Sequence, residues 1–148
     1  MNLFGMMDVS SSALRAERVR AEVVASNMAN AETTRTEDGG PYRRHHVVFA
    51  ADSSQSFGSM LGSQMTSVGG VPSGGVSVAG VIEDQSAPLQ RFDPGHPDAG
   101  ADGYVSYPDI NPLTEMVDLM GAQRAYGMNA SAVQAEKGMV SASLDILK

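Results

Sequence analysis

Residues 111–148, NPLTEMVDLMGAQRAYGMNASAVQAEKGMVSASLDILK, carry the pattern that decides the fold. Leu119, Tyr126, Val133, Val140 and Leu147 recur every seven residues. Met116, Ala130 and Leu144 fill most of the interleaved positions, and Gln123 and Lys137 interrupt them. A repeat of this kind belongs to a long helix packed on other helices. Its start is well marked. Asn111 offers an N-cap oxygen, Pro112 suits the first helical position, and Glu115 sits in the first turn, where the helix dipole favours an acid. The spacing predicts a helix over 112–147, about 54 Å long if unbroken. Gly121, Gly127 and Gly138 each cost it up to about 1 kcal/mol relative to Ala, or mark places where another helix comes close.

The other end of the chain reads as a second, shorter helix over 8–31. Leu14, Ala21, Val24, Met28 and Ala31 fall on one face, with Val9, Ala13, Ala16 and Val23 in a stripe beside it. Asp8 or Ser10 supplies a candidate N-cap. Asn30 is a candidate for the left-handed residue that closes the helix. Asn27, one turn earlier, is placed to hydrogen-bond across an interface.

Between the helices the signals change. Asp38-Gly39-Gly40-Pro41 reads as a turn, and Tyr42 to Phe49 as a strand. Residues 53–75, with seven Ser and six Gly, read as a flexible loop. Val76, Val78, Gly80 and Ile82 alternate as in a strand. Asp93 to Asp98 is turn-rich, and Gly103 to Tyr107 is a short strand ending at Pro108. The expected fold is α+β. Long N- and C-terminal helices pair in a coiled-coil-like bundle, formed by 1–32 plus 111–148, and 33–110 make a small β-rich outer region. Neither amphipathic helix can bury its apolar stripe alone, so pairing with each other and with further copies is expected.

Composition narrows the function. The chain has no Cys, which excludes a disulfide framework and a thiolate metal site. Eight of its ten Met lie in the terminal segments, where a flexible side chain packs against varied neighbours. The net charge is −7, and 81–118 hold eight acids against Arg91 alone. That balance speaks against nucleic acid and anionic membrane as partners. No run is apolar enough to insert in a bilayer. No cleaved signal is visible, so the chain is expected to stay in the cytoplasm or to leave by a route without one.

No catalytic constellation stands out. His45 and His46 are adjacent on a strand and point to opposite faces. His96 and Asp98 flank Pro97 in a loop, short of the three or four ligands that zinc requires. There is no phosphate-binding Gly-rich loop and no nucleophile elbow. No cofactor is expected, and the protein is expected not to be an enzyme. A metal-assisted hydrolase using His96 is the alternative from another class.

The segment Ala25-Ser26-Asn27-Met28-Ala29-Asn30-Ala31 with Thr33 resembles the N-terminal signature of flagellar rod and hook proteins. Three further segments narrow the likeness: Asp38-Gly39-Gly40-Pro41-Tyr42-Arg43-Arg44 with Val47-Val48-Phe49; Pro94-Gly95-His96-Pro97-Asp98-Ala99 with Gly103-Tyr104-Val105 and Tyr107-Pro108; and Glu115-Met116-Val117 with Arg124-Ala125-Tyr126 and Asn129. Together they are similar to the proximal-rod proteins of the flagellar basal body, the FlgC family. Residues 53–75 are longer than the connector usual there, and Gly127 stands where a better helix former is usual.

The resemblance implies a structural subunit of the rod, part of the hollow drive shaft that crosses the periplasm. It implies export through the flagellar type III apparatus without a cleaved signal, and terminal helices lining the channel. The implied partners are other copies, proximal and distal rod subunits, the junction protein at the rod base and the MS ring. Distal rod or hook subunit is the nearest alternative. Leu14, Val24, Met28, Met116, Tyr126, Val133 and Val140 are expected to pack helices within and between subunits. Asn27, Asn30 and Thr33 are expected to fix the exit from the first helix, and Arg124 and Asn129 to make polar contacts between neighbours. Gly39, Gly40, Pro41 and Tyr42, with Pro94, Gly95, His96 and Pro97, are expected to shape the outer region.

Overall fold

The computed structural model describes residues 3–37, 39–51 and 74–146. Helix α1 spans Leu3–Ala29. It is followed by strands β1 (His45–Ala51), β2 (Val76–Glu83), β3 (Leu89–Phe92) and β4 (Tyr104–Tyr107), and then by helix α2 (Pro112–Ile146). The α+β expectation holds. The Gly/Ser-rich segment, apart from Gly74 and Gly75, lies outside the described residues, as does Leu147 at the end of the heptad repeat.

Helix α2 begins where the sequence places it. Asn111 Oδ1 accepts the Leu113 N–H at 3.0 Å, and its carbonyl accepts the Glu115 N–H at 3.1 Å, opening the helical ladder. The helix runs unbroken through Gly121, Gly127 and Gly138. A Cβ at any of the three would meet nothing within 4 Å, so close approach inside the chain does not explain them.

Helix α1 starts five residues before the expected position, so Asp8 and Ser10 lie inside it and cap nothing. Ser12 shows why a serine-rich stretch stays helical. Its hydroxyl donates to the Val9 carbonyl at 2.7 Å and accepts the Val76 N–H at 3.0 Å. One side chain is thereby satisfied in a buried place, and β2 is pinned to α1. Asn30 is not left-handed: among the described residues only Gly39, Gly40 and Gly103 have positive φ. The helix instead closes through the Asn30 side chain, which donates to the Ser26 carbonyl at 2.9 Å and accepts the Thr33 hydroxyl at 3.2 Å.

The β region consists of two antiparallel pairs. β1 pairs with β2, His45 opposite Glu83 and Ala51 opposite Val76, with a bulge between Val48 and Phe49. β3 pairs with β4, Leu89 opposite Tyr107 and Phe92 opposite Tyr104. β3 is a strand the sequence did not disclose. All four of its residues are exposed, so no alternation of apolar and polar positions marks it.

Gly103 makes the corner before β4. Its φ is +75°, and a Cβ there would lie 2.8 Å from Phe92 Cε2. Gly103→Ala is expected to lower stability by about 1–2 kcal/mol, mostly through the left-handed backbone. Urea unfolding checks this. Because Phe92 is exposed, Phe92→Ala in the same chain should recover only the smaller, steric part; an unshifted midpoint for the single variant would refute the account.

The helices pack on each other, and β1 and β2 pack on α1. The apolar core between them is thin. Ala16, Val24, Val105, Ile110 and Ala122 are the buried apolar residues among those described, against eighteen large apolar side chains that stay exposed. Burial of apolar area is the main stabilising term in most domains, and here it is small. Polar contacts between the elements therefore matter more than usual.

Candidate functional site

The centre of the molecule is polar. Asn27 is 1 % exposed, Glu115 is 1 % exposed, and the two meet where α1 ends, β1 starts and α2 starts. The Asn27 side chain behaves like a short piece of strand. Its Oδ1 accepts the His45 N–H at 2.9 Å, and its Nδ2 donates to the His45 carbonyl at 2.9 Å. Nδ2 also donates to Glu115 Oε2 at 3.2 Å. The Tyr42 hydroxyl lies 3.2 Å from Asn27 Oδ1 and 2.8 Å from His45 Nδ1. One amide thus joins the end of α1 to the first residue of β1 and the first turn of α2, with all four of its hydrogen-bonding positions in use.

Glu115 takes the other half of its charge compensation from the start of β1. Arg44 Nε donates to Glu115 Oε1 at 2.6 Å, and Arg44 Nη2 lies 2.5 Å from the same oxygen. Arg44 Nη2 is also 3.7 Å from Asp118, whose Oδ1 is 3.5 Å from Arg20 of α1. Burying a carboxylate is costly unless it is paired and hydrogen-bonded, and here it is both. A cleft of about 340 Å³ opens beside this clamp, with Val23, Val47 and Phe49 on its apolar wall and Arg20 and Asp118 at its polar side.

A second cluster ties the loop after α1 to the loop before β4. Thr34 Oγ1 donates to Asp98 Oδ2 at 2.8 Å, and Arg35 lies 3.8 Å from Asp98. His96 Nδ1 accepts the Asp98 N–H at 3.1 Å, and its ring packs edge-on to Tyr107. The loop after α1 is itself closed by Thr36, whose N–H donates to the Gly40 carbonyl at 2.8 Å. Gly39 and Gly40 supply φ of 79° and 120°, which residues with a side chain rarely adopt. Pro41 follows, and Tyr42 then turns into the clamp, its N–H donating to the Thr33 carbonyl at 3.0 Å. Pro94 and Pro97 flank the turn around Gly95, whose N–H is 3.3 Å from Asp93 Oδ1.

Of the residues singled out for packing, Val24 is buried, and Leu14, Met28, Val133 and Val140 are half-buried. Met116, Tyr126 and Arg124 are exposed, and Asn129 bonds within its own helix, to the Ala125 carbonyl at 2.9 Å. The inner face of α2 buries Glu115, Ala122 and Glu136, two acids and a small residue. What the sequence missed is the partnership of Glu115 with Arg44. The available signal was position: Glu115 lies seven residues before Ala122, beside the apolar repeat, where a buried carboxylate is costly unless it is paired.

Asp84, at the end of β2, shows a surface version of the same economy. The Ser86 hydroxyl at 2.7 Å, then the Ser86 N–H at 2.9 Å, then His46 hold its carboxyl down to about 2 from the usual 3.8. A depressed folded value stabilises above the unfolded one, so this contribution is complete above pH 4 and is lost as the pH falls from about 4 to about 2. Ser86→Ala removes the hydroxyl and keeps the N–H, so it is expected to raise the Asp84 value part of the way toward 3.8 in a carbon-detected NMR titration. No movement would assign the shift elsewhere.

Among the described residues no group of three or more His, Asp or Glu is placed to hold a metal ion, and no helix is long and apolar enough to cross a membrane. The geometry is that of a frame that holds two helix ends together. A family model described as flagella basal body rod protein matches residues 7–35, and one described as flagellar basal body rod FlgEFG protein C-terminal matches residues 101–146. The chain is thus of the flagellar basal-body rod class, with its two helical ends carrying the match.

Full-length relatives define it further. It is 44% identical over 152 residues to the flagellar basal-body rod protein FlgC of Bacillus subtilis, covering 100% of both chains. It is 37% identical to that of Borreliella burgdorferi over 154 residues, covering 100% of this chain and 99% of the relative. With that of Salmonella typhimurium it shares 37% over 146 residues, 99% of this chain and 98% of the relative. The chain belongs to the FlgC family, and it is a structural protein of the flagellar rod.

Proposed function

We propose that this chain is laid into the proximal part of the rod and polymerises through α1 and α2, whose bundle with the helices of further copies is coiled-coil-like. In this reading 1–32 and 111–148 form the inner unit around the export channel, and 33–110 form the outer unit. The chain works as one element of a hollow shaft that carries torque across the periplasm and lets exported subunits pass. It reaches that position through the type III export apparatus without a cleaved signal. It contacts other copies, the neighbouring rod subunits, the junction protein at the rod base and the MS ring. It has no catalytic task.

The observation that carries the reading is the apolar surface that α2 leaves exposed. Nine large apolar side chains of this one helix are exposed, from Leu113 at 70 % to Ile146 at 84 %. A surface of that extent marks an interaction site. Likeness to rod proteins over the full chain supplies the kind of partner. The test is replacement of the chromosomal copy by a tagged one, followed by purification of basal bodies. The tag should co-purify with the rod, and deletion should abolish both rod and motility. Motile cells lacking the chain would end the proposal.

A further inference from the structure

The outer side of α2 has a composition of its own. At about 100° per residue, Leu113, Val117, Met120 and Met128 fall within roughly 40° of Arg124 around the helix. They are 70 %, 57 %, 45 % and 68 % exposed. Arg124 stands in the middle of this ridge, exposed, and makes no hydrogen bond or ion pair among the described residues. Gly127, next to it, is open: an added Cβ would meet nothing within 4 Å. The ridge is an apolar strip with one uncompensated cation and a notch beside it.

The opposite feature lies on the seam between the helices. A groove of about 440 Å³ is floored by Ala21 and Ala122 and walled by Glu17, Arg18, Gln123 and Tyr126. Its small floor leaves room for an incoming side chain. The acid in it is not satisfied: Glu17 Oε2 is buried with no hydrogen-bond partner. Its nearest cation is Arg20 Nη1 at 3.8 Å, and Arg20 is shared with Asp118. Buried carboxylate oxygens normally have a donor; Glu17 keeps 17 % of its side chain exposed, so a turn of the carboxylate brings the unpaired oxygen to the groove mouth, where a donor from a second copy can meet it.

We infer that the ridge of one copy docks into the seam groove of a second copy, with Arg124 donating to the Glu17 carboxylate. The inference rests on the assembly reading above and names its contact. Charge and shape both fit: a cation on an apolar ridge meets an acid in a small-residue groove, whose own cation, Arg18, is taken by Glu22 at 2.9 Å. A guanidinium suits this better than an ammonium, because its fork bonds a carboxylate geometrically and desolvates more easily. Ridge and groove are different surfaces of the same chain, so the contact is heterologous. Each copy offers a ridge to one neighbour and a groove to another, and such contacts close into rings or continue as helices. A tube requires that kind of contact, and a self-complementary pair would stop at a dimer.

The chain has no Cys, which makes the test clean. Cells co-express two differently tagged copies, Glu17→Cys and Arg124→Cys, and purified basal bodies are treated with a short bis-maleimide, because a guanidinium–carboxylate pair holds its Cα atoms beyond the about 7 Å that a disulfide spans. The expected product is a crosslinked pair joining both tags, with none from a control that places Cys at Glu22 in place of Glu17. Tagged chain present in basal bodies without the linked pair overturns the contact and leaves the assembly reading standing. Absence of the chain from basal bodies fails the assembly reading itself. Charge exchange covers the case in which the Cys copies do not assemble. Arg124→Glu lies on the exposed ridge, so the free chain should unfold at an unchanged urea concentration while swarming is lost. Glu17→Arg added to it should restore swarming. Normal swarming of Arg124→Glu, or no restoration by the pair, overturns the contact.

Discussion

Replacing Glu115 by Ala lowers the unfolding free energy of the free chain by about 2–3 kcal/mol, measured by urea denaturation at pH 7. Removing one partner of a buried ion pair typically costs 3–5 kcal/mol, because the other charge is left buried and alone. Two features moderate it here. Arg44 keeps a quarter of its side chain in water, and it retains Asp118 at 3.7 Å. The loss is still a large part of the roughly 5–15 kcal/mol that holds a domain together, and the thin apolar core offers little to replace it. Glu115→Gln keeps the shape and an acceptor oxygen for Arg44, and should fall between the two. Arg44→Met with Glu115→Leu removes both charges and should lose less than Glu115→Ala, since no charge is stranded. If Glu115→Ala shifts the unfolding midpoint by less than the equivalent of about 0.5 kcal/mol, the clamp is not what holds the helix ends together.

The same pair shows where sequence reading reached and where it stopped. The start of α2 was legible because its determinants are local: a cap, a proline and an acid within one turn. The start of α1 was not, because Gly5, Met6 and Met7 carry no such signal and the serines that follow are satisfied by back-bonding within the helix and by β2. Asn27 was legible as a residue in need of partners, since an amide on an apolar face must be hydrogen-bonded. Its partners were not, because 88 residues separate it from Glu115 and 18 from His45. Glu115 illustrates the limit most clearly. A local explanation, the helix dipole, accounted for it well enough to hide the tertiary one. The heptad repeat of α2 likewise predicted one apolar face, whereas the helix buries Glu115, Ala122 and Glu136 most deeply and leaves Met116, Tyr126 and Leu144 of the repeat exposed. Periodicity states that a helix has a face; it does not state which neighbour the face awaits.

Asn27→Asp is expected to be worse than Asn27→Ala at pH 7, although it is closer in shape. The alanine variant strips the His45 N–H and carbonyl of their partner and takes a donor from Glu115; at about 1–3 kcal/mol for each buried group left unpaired, partly relieved by water, the loss is about 3 kcal/mol. The aspartate variant keeps the acceptor for the His45 N–H and the Tyr42 hydroxyl. Where Nδ2 stood it places an oxygen, 2.9 Å from the His45 carbonyl and 3.2 Å from a Glu115 oxygen. Two lone-pair contacts replace two hydrogen bonds, and a second carboxylate is buried beside the first, so the loss rises to about 4 kcal/mol or more. The pH dependence separates the variants. Like charge and burial raise the folded-state value of the carboxyl pair above its unfolded value near 4, so the stability of Asn27→Asp is largest at low pH and is lost as the pH rises through that raised value. A proton shared by the pair restores one of the missing donors. Asn27→Asp should therefore gain on Asn27→Ala between pH 7.5 and pH 5, and urea midpoints of the two variants at both pH values measure this. A constant difference across that interval would mean that Glu115 does not face position 27 in the folded chain, and the joint between the two helix ends would have to be sought elsewhere.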